Sequence, residues 1–221
     1  MTLVVSGIHT TIVCALERLL DGEDVVRVGG VLDSMDAEKT LHGLPLEARR
    51  YVFAQGYLQP KTILEQSADE VARSLAVNLV SVVQMCERVL ASNAVARICV
   101  IGSESALRSS YDTTYALAKA ALHRYVEVRA LQPDQQLVCV APGMIADAGM
   151  TRRRQDQDRV AERGRCHPKG RLLNTAEVAA MIHHLLYVDR GYTSNTVIRM
   201  DGRPAFGAAA TPLRSGDSVH A

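Results

Sequence analysis

The sequence predicts an α/β protein whose doubly wound parallel sheet is covered by helices on both faces. Three observations carry this prediction. Short apolar runs rich in β-branched residues recur along the chain, segments of helical periodicity separate them, and 48% of the 221 residues are hydrophobic. Short buried strands that alternate with helices are typical of a parallel sheet with right-handed crossovers. A chain of this length buries a substantial core as one domain.

The first half of the chain contains three predicted strands and two long helices. The strands are short, apolar and bounded by glycine or polar turns: residues 2–6, 24–29 and 51–54. The helices have apolar residues at a spacing of three to four: residues 12–20 and 68–91. Residues 30–50 contain only a short candidate helix at 34–41, so we expect a shortened region after the second strand.

The second half repeats the alternation. Three further strands are predicted, which brings the sheet to about six or seven: residues 97–101, 136–141 and 196–200. Two further helices are predicted: residues 113–131 and 175–188, the latter capped by Asn174 or Thr175. Between them, residues 147–171 are polar and rich in arginine. Residues 203–221 have the Gly, Ala, Pro and Ser content of a flexible extension.

The charge balance excludes several classes of partner. Lys and Arg number 25 against 24 for Asp and Glu, so no charge excess indicates binding to nucleic acid or to a membrane surface. The first residues resemble neither a signal peptide nor a membrane span. Five scattered cysteines fit neither a disulfide framework nor a metal site and favour free thiols in the cytoplasm. We expect no metal.

The strongest chemical candidate is the pair Tyr115 and Lys119 in the predicted helix 113–131. Residues four apart lie on one face of a helix, so both side chains reach the same point beyond it. A nearby ammonium favours phenolate, and we expect it to lower the pKa of Tyr115. Such a pair can act as an acid or base, although Tyr-x-x-x-Lys alone is a weak signal.

The order of polar residues around this pair is more specific. The sequence carries Asn78 inside a long helix, Ser103 after a strand, then Tyr115, Lys119 and Pro142-Gly143. The run Val-Ile-Arg-Met-Asp-Gly closes the series at residues 197–202. In this order the residues resemble the short-chain dehydrogenase/reductase family, NAD(P)-dependent enzymes built on a Rossmann sheet. The resemblance covers residues 1–202 as one domain and leaves 203–221 as a C-terminal extension.

The resemblance implies a role for each of four catalytic candidates. Ser103 would hold the substrate carbonyl, and Tyr115 would donate or accept the proton. Lys119 would lower the tyrosine pKa and hold the nicotinamide ribose, while Asn78 would hold a water that relays protons. Two alternatives stay open: Ser105 rivals Ser103, and Asn78 is also explained as an amide satisfied within the core. The family also forms homodimers or homotetramers, whose contacts would use helices 68–91 and 113–131.

The resemblance further implies cofactor contacts, with NAD and NADP both open. The expected residues follow four predicted strands or belong to the catalytic pair: Gly7, His9, Thr11, Ile12, Ala54, Gly56, Tyr115, Lys119, Pro142, Gly143 and Ile145. Beyond the end of the second strand, Asp33 is the nearest acidic candidate for the adenine ribose.

The cofactor end departs from the family pattern. Of the glycines in Thr-Gly-x-x-x-Gly-x-Gly only Gly7 remains, and Thr11 and Val13 take the other two places. We therefore expect side chains where phosphate oxygens would approach. Gln55 stands in the turn that commonly reads Asn-Asn-Ala-Gly, without the asparagine that braces the sheet. Asp147 replaces a threonine, and its charge would repel a phosphate.

These features lead to two hypotheses. The first is an NAD(P)-dependent oxidoreductase that interconverts a carbonyl and an alcohol on a small substrate. Residues 152–154, all arginine, fit either recognition of an anionic substrate or an exposed, solvated lid. The second hypothesis is a reductase-like scaffold with a binding or regulatory role, which the altered glycine turn favours. The four catalytic candidates together favour the enzyme.

Overall fold

The computed structural model describes residues 2–7, 10–20, 22–29, 41–59, 61–108, 110–152 and 156–202. Within them, six strands form one sheet: β1 Thr2–Ser6, β2 Asp24–Arg27, β3 Arg50–Phe53, β4 Arg97–Ile101, β5 Gln136–Pro142 and β6 Thr196–Met200. All pairs are parallel, in the order β2-β1-β3-β4-β5-β6. The predicted doubly wound parallel sheet is confirmed. Most of the candidate helix 34–41, and the extension 203–221, lie outside the described residues.

Six helices connect the described strands. They are α1 Thr11–Glu17, α2 Ala68–Leu75 continued by Ala76–Val80 and Ser81–Ser92, α3 Thr113–Val128, α4 Gly149–Arg152, α5 Gln157–Arg165, and α6 Thr175–His183 continued by His184–Val188. The middle piece of α2 and the last piece of α6 are π-helical turns. Helix α3 ends before the predicted residue 131 because Arg129 adopts an extended backbone. The arginine-rich segment, predicted as a loop, contains α4 and α5.

The helices cover the sheet in two layers, each with its own apolar core. One layer packs α1 and α6 against the sheet, with Leu16 and Ile182 fully buried. The other packs α2 and α3, with Met85 and Leu122 fully buried. Because both faces are covered, nearly every side chain of β3, β4 and β5 is buried. A ligand can therefore reach the sheet only at its edges or at the ends of its strands.

The chain reverses its direction of winding at β1. From β1 it moves outward to β2 and then returns to β3 on the other side of β1. In open parallel sheets, ligands bind beyond the carboxyl ends of the strands at such a reversal. Gly7 follows β1 and Ala54 follows β3 at this point.

Helix α2 is the one helix in the described part of the chain that length and composition would allow to cross a membrane. Half of its most apolar window is buried inside the fold. Packing on the sheet and on α3 explains this apolar character, so the helix is weak evidence for a membrane span.

The amino ends of the strands are held by Arg97, the first residue of β4. Its Nη1 donates to the Leu186 carbonyl at 3.0 Å and its Nη2 to the Leu185 carbonyl at 2.9 Å, at the end of α6. Its Nε donates to Oε1 of Gln136 on β5 at 2.8 Å. A guanidinium suits this place because a helix leaves its last carbonyls without partners.

We expect Arg97→Met to destabilise the protein strongly. Methionine keeps the aliphatic stem but removes the donor to the Leu185 carbonyl and to the Gln136 Oε1, while the Leu186 carbonyl keeps the bond from Arg50 Nε at 2.9 Å. The expected loss in free energy of unfolding is about 3 kcal/mol, measured by urea denaturation. The control is Arg124→Ala, which removes an exposed pair with Glu127 and should change stability by less than about 1 kcal/mol. Equal effects of the two variants would contradict the role given to Arg97.

Candidate active site

The helix that carries Tyr115 and Lys119 is fixed at its start by Asp112. The Asp112 carboxylate caps α3 by accepting the Tyr115 backbone N–H at 3.0 Å. It also accepts the Gln59 backbone N–H at 2.7 Å and the Gln66 side-chain amide at 3.1 Å. Asp112 thus ties the loop after β3 to the catalytic helix. Sequence reasoning missed this residue, although Asp three positions before Tyr115 is an ordinary N-cap signal.

Tyr115 is buried, with 8% of its surface exposed. Burial raises the pKa of its phenol above 10.0, the Ser103 hydroxyl opposes this through a hydrogen bond, and the charge of Asp112 adds to the increase. The net direction is the opposite of the lowered pKa expected from Lys119. Burial is the largest cause of this shift in the Tyr115 pKa, and the Lys119 Nζ lies 5.8 Å from the centre of the phenol ring. Tyr115 is therefore a neutral phenol near pH 7, in the form that can donate a proton.

Ser103 lies directly after β4 and faces Tyr115. Its hydroxyl contacts the Tyr115 phenol and accepts the Ser105 backbone N–H at 3.1 Å. Between the two rival serines, the described contact with Tyr115 belongs to Ser103. The structure thus brings together Ser103 and Tyr115 from segments that are separate in the sequence.

Lys119 is almost completely buried, with 2% of its surface exposed. Its Nζ donates to the Ile101 carbonyl at 2.8 Å and to the Gln55 carbonyl at 3.5 Å. No carboxylate within the described ranges forms an ion pair with it. Burial lowers the pKa of Lys119 to about 8, partly offset by Cys139. Because an ammonium has three N–H donors, one remains for a hydroxyl beyond the sheet edge.

Asn78 lies in the π-helical turn of α2. Its Oδ1 accepts the Tyr57 N–H at 2.9 Å, and its Nδ2 donates to the Tyr57 carbonyl at 2.7 Å and to the Ser74 carbonyl at 2.9 Å. Through these hydrogen bonds the Asn78 side chain joins α2 to the loop after β3. They correspond to the alternative of a satisfied core amide, and the water relay stays a prediction.

Gln55 replaces the bracing asparagine in another way. Its Oε1 accepts the Ser6 hydroxyl at the end of β1, and its Nε2 donates to the Ser81 hydroxyl of α2 at 3.3 Å. All three side chains are buried. The amide that the sequence retains at Gln55 thus joins β1 to α2, although the usual asparagine is absent.

In the turn after β1, the backbone at Gly7 lies very close to the backbone at Ala54. This residue has a φ of +72°, and a Cβ there would lie 2.6 Å from the Ala54 carbonyl carbon. Val13 is fully buried in the core beneath the turn, so its side chain does not obstruct a phosphate as expected. The Ile12 side chain is buried as well, while Thr11 is half-buried. His9 and Asp33 lie outside the described residues.

We expect Gly7→Ala to cost more stability than Gly22→Ala. Both glycines have a positive φ, but a Cβ at Gly22 meets nothing within 4 Å. Gly22→Ala therefore measures the backbone strain alone, about 1 kcal/mol, and Gly7→Ala adds a collision with the end of β3. Thermal unfolding of both variants checks this order. If Gly7→Ala loses less stability than Gly22→Ala, the close approach between Gly7 and Ala54 is absent.

The turn after β5 packs against the end of β6. A Cβ at Gly143 would lie 3.2 Å from the Asp201 Cα and 3.5 Å from the Glu104 Oε2. The Gly143 N–H donates to the Met200 carbonyl at 3.0 Å, which holds the Pro142-Gly143 turn beside β6. The Ile145 side chain points into the core rather than toward the edge of the sheet. Glu104 thus places a carboxylate beside the reaction end of the site.

Asp147 is engaged with α6. Its carboxylate accepts the Thr175 N–H at 2.8 Å and the Thr175 hydroxyl at 2.6 Å. Burial favours the neutral acid, but these two hydrogen bonds outweigh it and lower the pKa of Asp147. Asp147 thus binds as an anion at the start of α6, which favours negative charge, and its repulsion of a cofactor phosphate stays a prediction.

The described part of the arginine-rich segment is mostly a solvated surface. Arg171 forms an ion pair with Glu177 at 2.7 Å, and Arg152 is exposed. Arg163 is exposed as well, and it lines a cavity of about 20 Å³ together with Glu104, Met144, His167 and Leu172. Arg153 and Arg154 lie outside the described residues.

The sequence of the site region matches a known family. A family model described as Enoyl-(Acyl carrier protein) reductase matches residues 51–202, a span that holds Asn78, Ser103, Tyr115 and Lys119. The chain belongs to the short-chain dehydrogenase/reductase family. The predicted resemblance is thus confirmed. No curated protein matches the sequence significantly.

Solved structures of short-chain dehydrogenases/reductases have the same fold. The ligand-free aldohexose dehydrogenase of Thermoplasma acidophilum gives a TM-score of 0.80 at 19% identity and covers 94% of this chain and 96% of its own. A glucose/ribitol dehydrogenase from Brucella melitensis gives 0.76 at 23% identity, covering 94% and 97%. A family member from Serratia marcescens gives 0.79 at 20% identity, covering 91% and 96%. At these identities the likeness concerns the fold alone.

Proposed function

We propose that this protein is an NAD(P)-dependent oxidoreductase that interconverts a carbonyl and an alcohol on a small substrate. The observation that carries the proposal is the contact of Ser103 with Tyr115, with buried Lys119 one helical turn away on the same face. A buried ammonium without an acidic partner is costly to maintain, so a purely structural role explains it poorly. A reaction that develops negative charge at this point does explain it.

Ser103, Tyr115 and Lys119 each have a separate role in the proposed proton transfer. The Ser103 hydroxyl holds the substrate oxygen by a hydrogen bond, and Tyr115 donates a proton to that oxygen in the reducing direction. The charge of Lys119, near the phenol ring, stabilises the phenolate that remains. In the oxidising direction the phenolate takes the proton back. The nicotinamide, when bound, supplies or accepts the hydride.

The residues at the nicotinamide end fit such a cofactor. The remaining N–H of Lys119 and the Tyr115 hydroxyl suit ribose hydroxyls, and Pro142-Gly143 would form the wall of the nicotinamide pocket. At the phosphate end, the backbone amides of Thr11 and Ile12 belong to the first turn of α1 and have no partner within the helix. Gly7, Ala54 and Gly56 would border the same cleft, with Ile145 contributing its backbone.

The substrate proposal includes anionic compounds because of Arg163. This guanidinium lines the small cavity above Met144, at the reaction end of the site. Glu104 lies in the same cavity, so we expect an accepted anion to place its charge toward α5 and away from Glu104. Guanidinium groups bind carboxylates and phosphates in a forked geometry.

The second candidate function is a binding or regulatory scaffold with weak or no turnover. One observation favours it: the first turn lacks the second and third family glycines, and Thr11 and Val13 stand in their places. A scaffold of this kind would keep the fold and bind cofactor poorly. Cofactor binding therefore separates the two candidates.

The test is calorimetry with NADH and with NADPH, followed by a substrate screen. The screen contains neutral aldehydes and ketones, keto acids, and an enoyl thioester for the reaction that the matching family model describes. We expect one cofactor to bind with a dissociation constant below about 1 mM and a carbonyl compound to be reduced. Absence of binding by both cofactors at millimolar concentration would overturn the enzyme proposal and favour the scaffold.

A further inference from the structure

His123 lies on the same face of α3 as the catalytic pair, one turn after Lys119 and two turns after Tyr115. It is buried, with 5% of its surface exposed. Its Nε2 lies 3.3 Å from the backbone nitrogen of Ser103 and accepts that N–H. Because a backbone N–H only donates, Nε2 must be unprotonated, and the neutral ring carries its proton on Nδ1. The hydrogen bond thus defines one tautomer.

The Ser103 N–H lies just past the end of the sheet. The Gly102 N–H makes the last ladder bond, to the Val140 carbonyl at 2.8 Å, and Ser103 then leaves β4. A buried N–H needs a partner, and His123 is the partner that the structure gives it. Ser103, the second residue after β4, therefore depends on a side chain of α3 for its position.

The imidazole packs closely against the backbone at Gly102, and its Nδ1 is buried without a hydrogen-bond partner among the described residues. A Cβ at Gly102 would collide with Nε2 of His123 and lie 2.6 Å from the Cys139 Sγ. Glycine at this position therefore lets the ring approach the backbone closely. Burial, together with the charge of Lys119, lowers the pKa of His123 to about 4. The ring is neutral at physiological pH, and Nε2 stays available as an acceptor.

We propose that His123 is a positioning residue that fixes the Ser103 backbone and thereby holds the Ser103 hydroxyl against Tyr115. The proposal rests on the proposed oxidoreductase function for its effect on turnover. The hydrogen bond itself can be tested without any activity. This separation allows the two proposals to fail independently.

The first test uses two variants that differ in one acceptor atom. His123→Gln keeps an oxygen that can reach the Ser103 N–H, whereas His123→Met fills a similar space without an acceptor. Nitrogen-15 NMR of the wild type should show His123 as the Nδ1–H tautomer. Hydrogen exchange of the Ser103 amide should accelerate about tenfold or more in His123→Met and little in His123→Gln. A wild-type Nε2–H tautomer, or equal exchange in all three proteins, would overturn the proposal.

The second test measures turnover with the substrate found in the screen. We expect His123→Met to lower kcat on the order of 10 to 100-fold while the cofactor dissociation constant stays within about threefold. His123→Gln should recover most of kcat. A fall in kcat that is equal in both variants would refute the role of the acceptor. If the wild type has no turnover, the oxidoreductase proposal fails while the exchange test still decides the hydrogen bond.

Chemical rescue provides an independent check, because a cavity of about 260 Å³ adjoins the ring. Its lining includes Ala106, Ala120, His123, Arg124 and Val197. In His123→Ala, added imidazole can enter through this cavity and replace the lost ring. We expect millimolar imidazole to slow the exchange of the Ser103 amide and raise kcat severalfold in His123→Ala, but not in the wild type or in Arg124→Ala. Absence of rescue in both measurements would contradict a direct role of the imidazole.

Discussion

Tyr115→Phe is expected to abolish most turnover while leaving the fold and the cofactor affinity intact. The substitution removes the proton donor and its contact with Ser103 but keeps a buried aromatic ring of nearly the same shape. A positioned general acid contributes about 10² to 10⁴-fold, so kcat should fall by that factor. Steady-state kinetics gives the loss, and calorimetry with the preferred cofactor gives the unchanged affinity.

The matched control is Tyr125→Phe. Tyr125 belongs to the same helix and donates a hydrogen bond to Glu87 at 2.7 Å, but it faces away from Ser103 toward α2. Its loss should cost about 1 kcal/mol of stability and leave kcat within about threefold. If Tyr115→Phe keeps wild-type turnover, Tyr115 is not the proton donor. A loss in both variants of equal size would indicate a general effect on α3.

Lys119→Met is expected to remove turnover and to change how stability depends on pH. In the folded protein the pKa of Lys119 is lowered from 10.5 to about 8 because the ammonium is buried. Below pH 8 both states carry the charge, and the full cost of burying it is present. Between pH 8 and 10.5 the folded state has released a proton that the unfolded state still binds, so the wild type gains stability as the pH rises. Methionine does not titrate, so Lys119→Met lacks this gain in stability at high pH.

The measurement is urea denaturation of wild type and variant from pH 7 to pH 10.5. The wild type should gain about 2 to 3 kcal/mol relative to Lys119→Met over this range. Comparison of the two proteins cancels the titration of the tyrosines and cysteines that they share. Lys169→Met, which removes an exposed lysine, is the control for the substitution itself. A flat difference for Lys119→Met would mean that folding does not lower the pKa of this amine.

The stability cost of Lys119 and the proposed catalysis are linked. A buried cation held by two carbonyls weakens the fold at neutral pH, yet the same lack of an acidic partner keeps its charge available to the phenolate and to ribose hydroxyls. A carboxylate beside Lys119 would relieve the cost and neutralise that charge. This trade of stability for function is common at reaction centres.

The sequence by itself determined the sheet, the helices and the order of the catalytic candidates. Buried strands appear as short apolar runs and helices as a period of 3.6 residues, and both patterns are visible in a short window of the chain. The spacing of Tyr115 and Lys119 belongs to one helix, so its geometry is local as well. The end of α3 and the helices within the arginine-rich segment were misjudged, because their signals are weak and polar.

Only the tertiary structure decided how the site is held and charged. The brace from Ser6 to Gln55 joins residues 49 apart, and the bond from Lys119 to the Gln55 carbonyl joins residues 64 apart. The partner of Asp147 is Thr175, and the partner of the Ser103 N–H is His123. The direction of the Tyr115 pKa depends on burial, which many distant residues create together. Contacts and burial of this kind arise only when the chain is folded, so no local pattern encodes them.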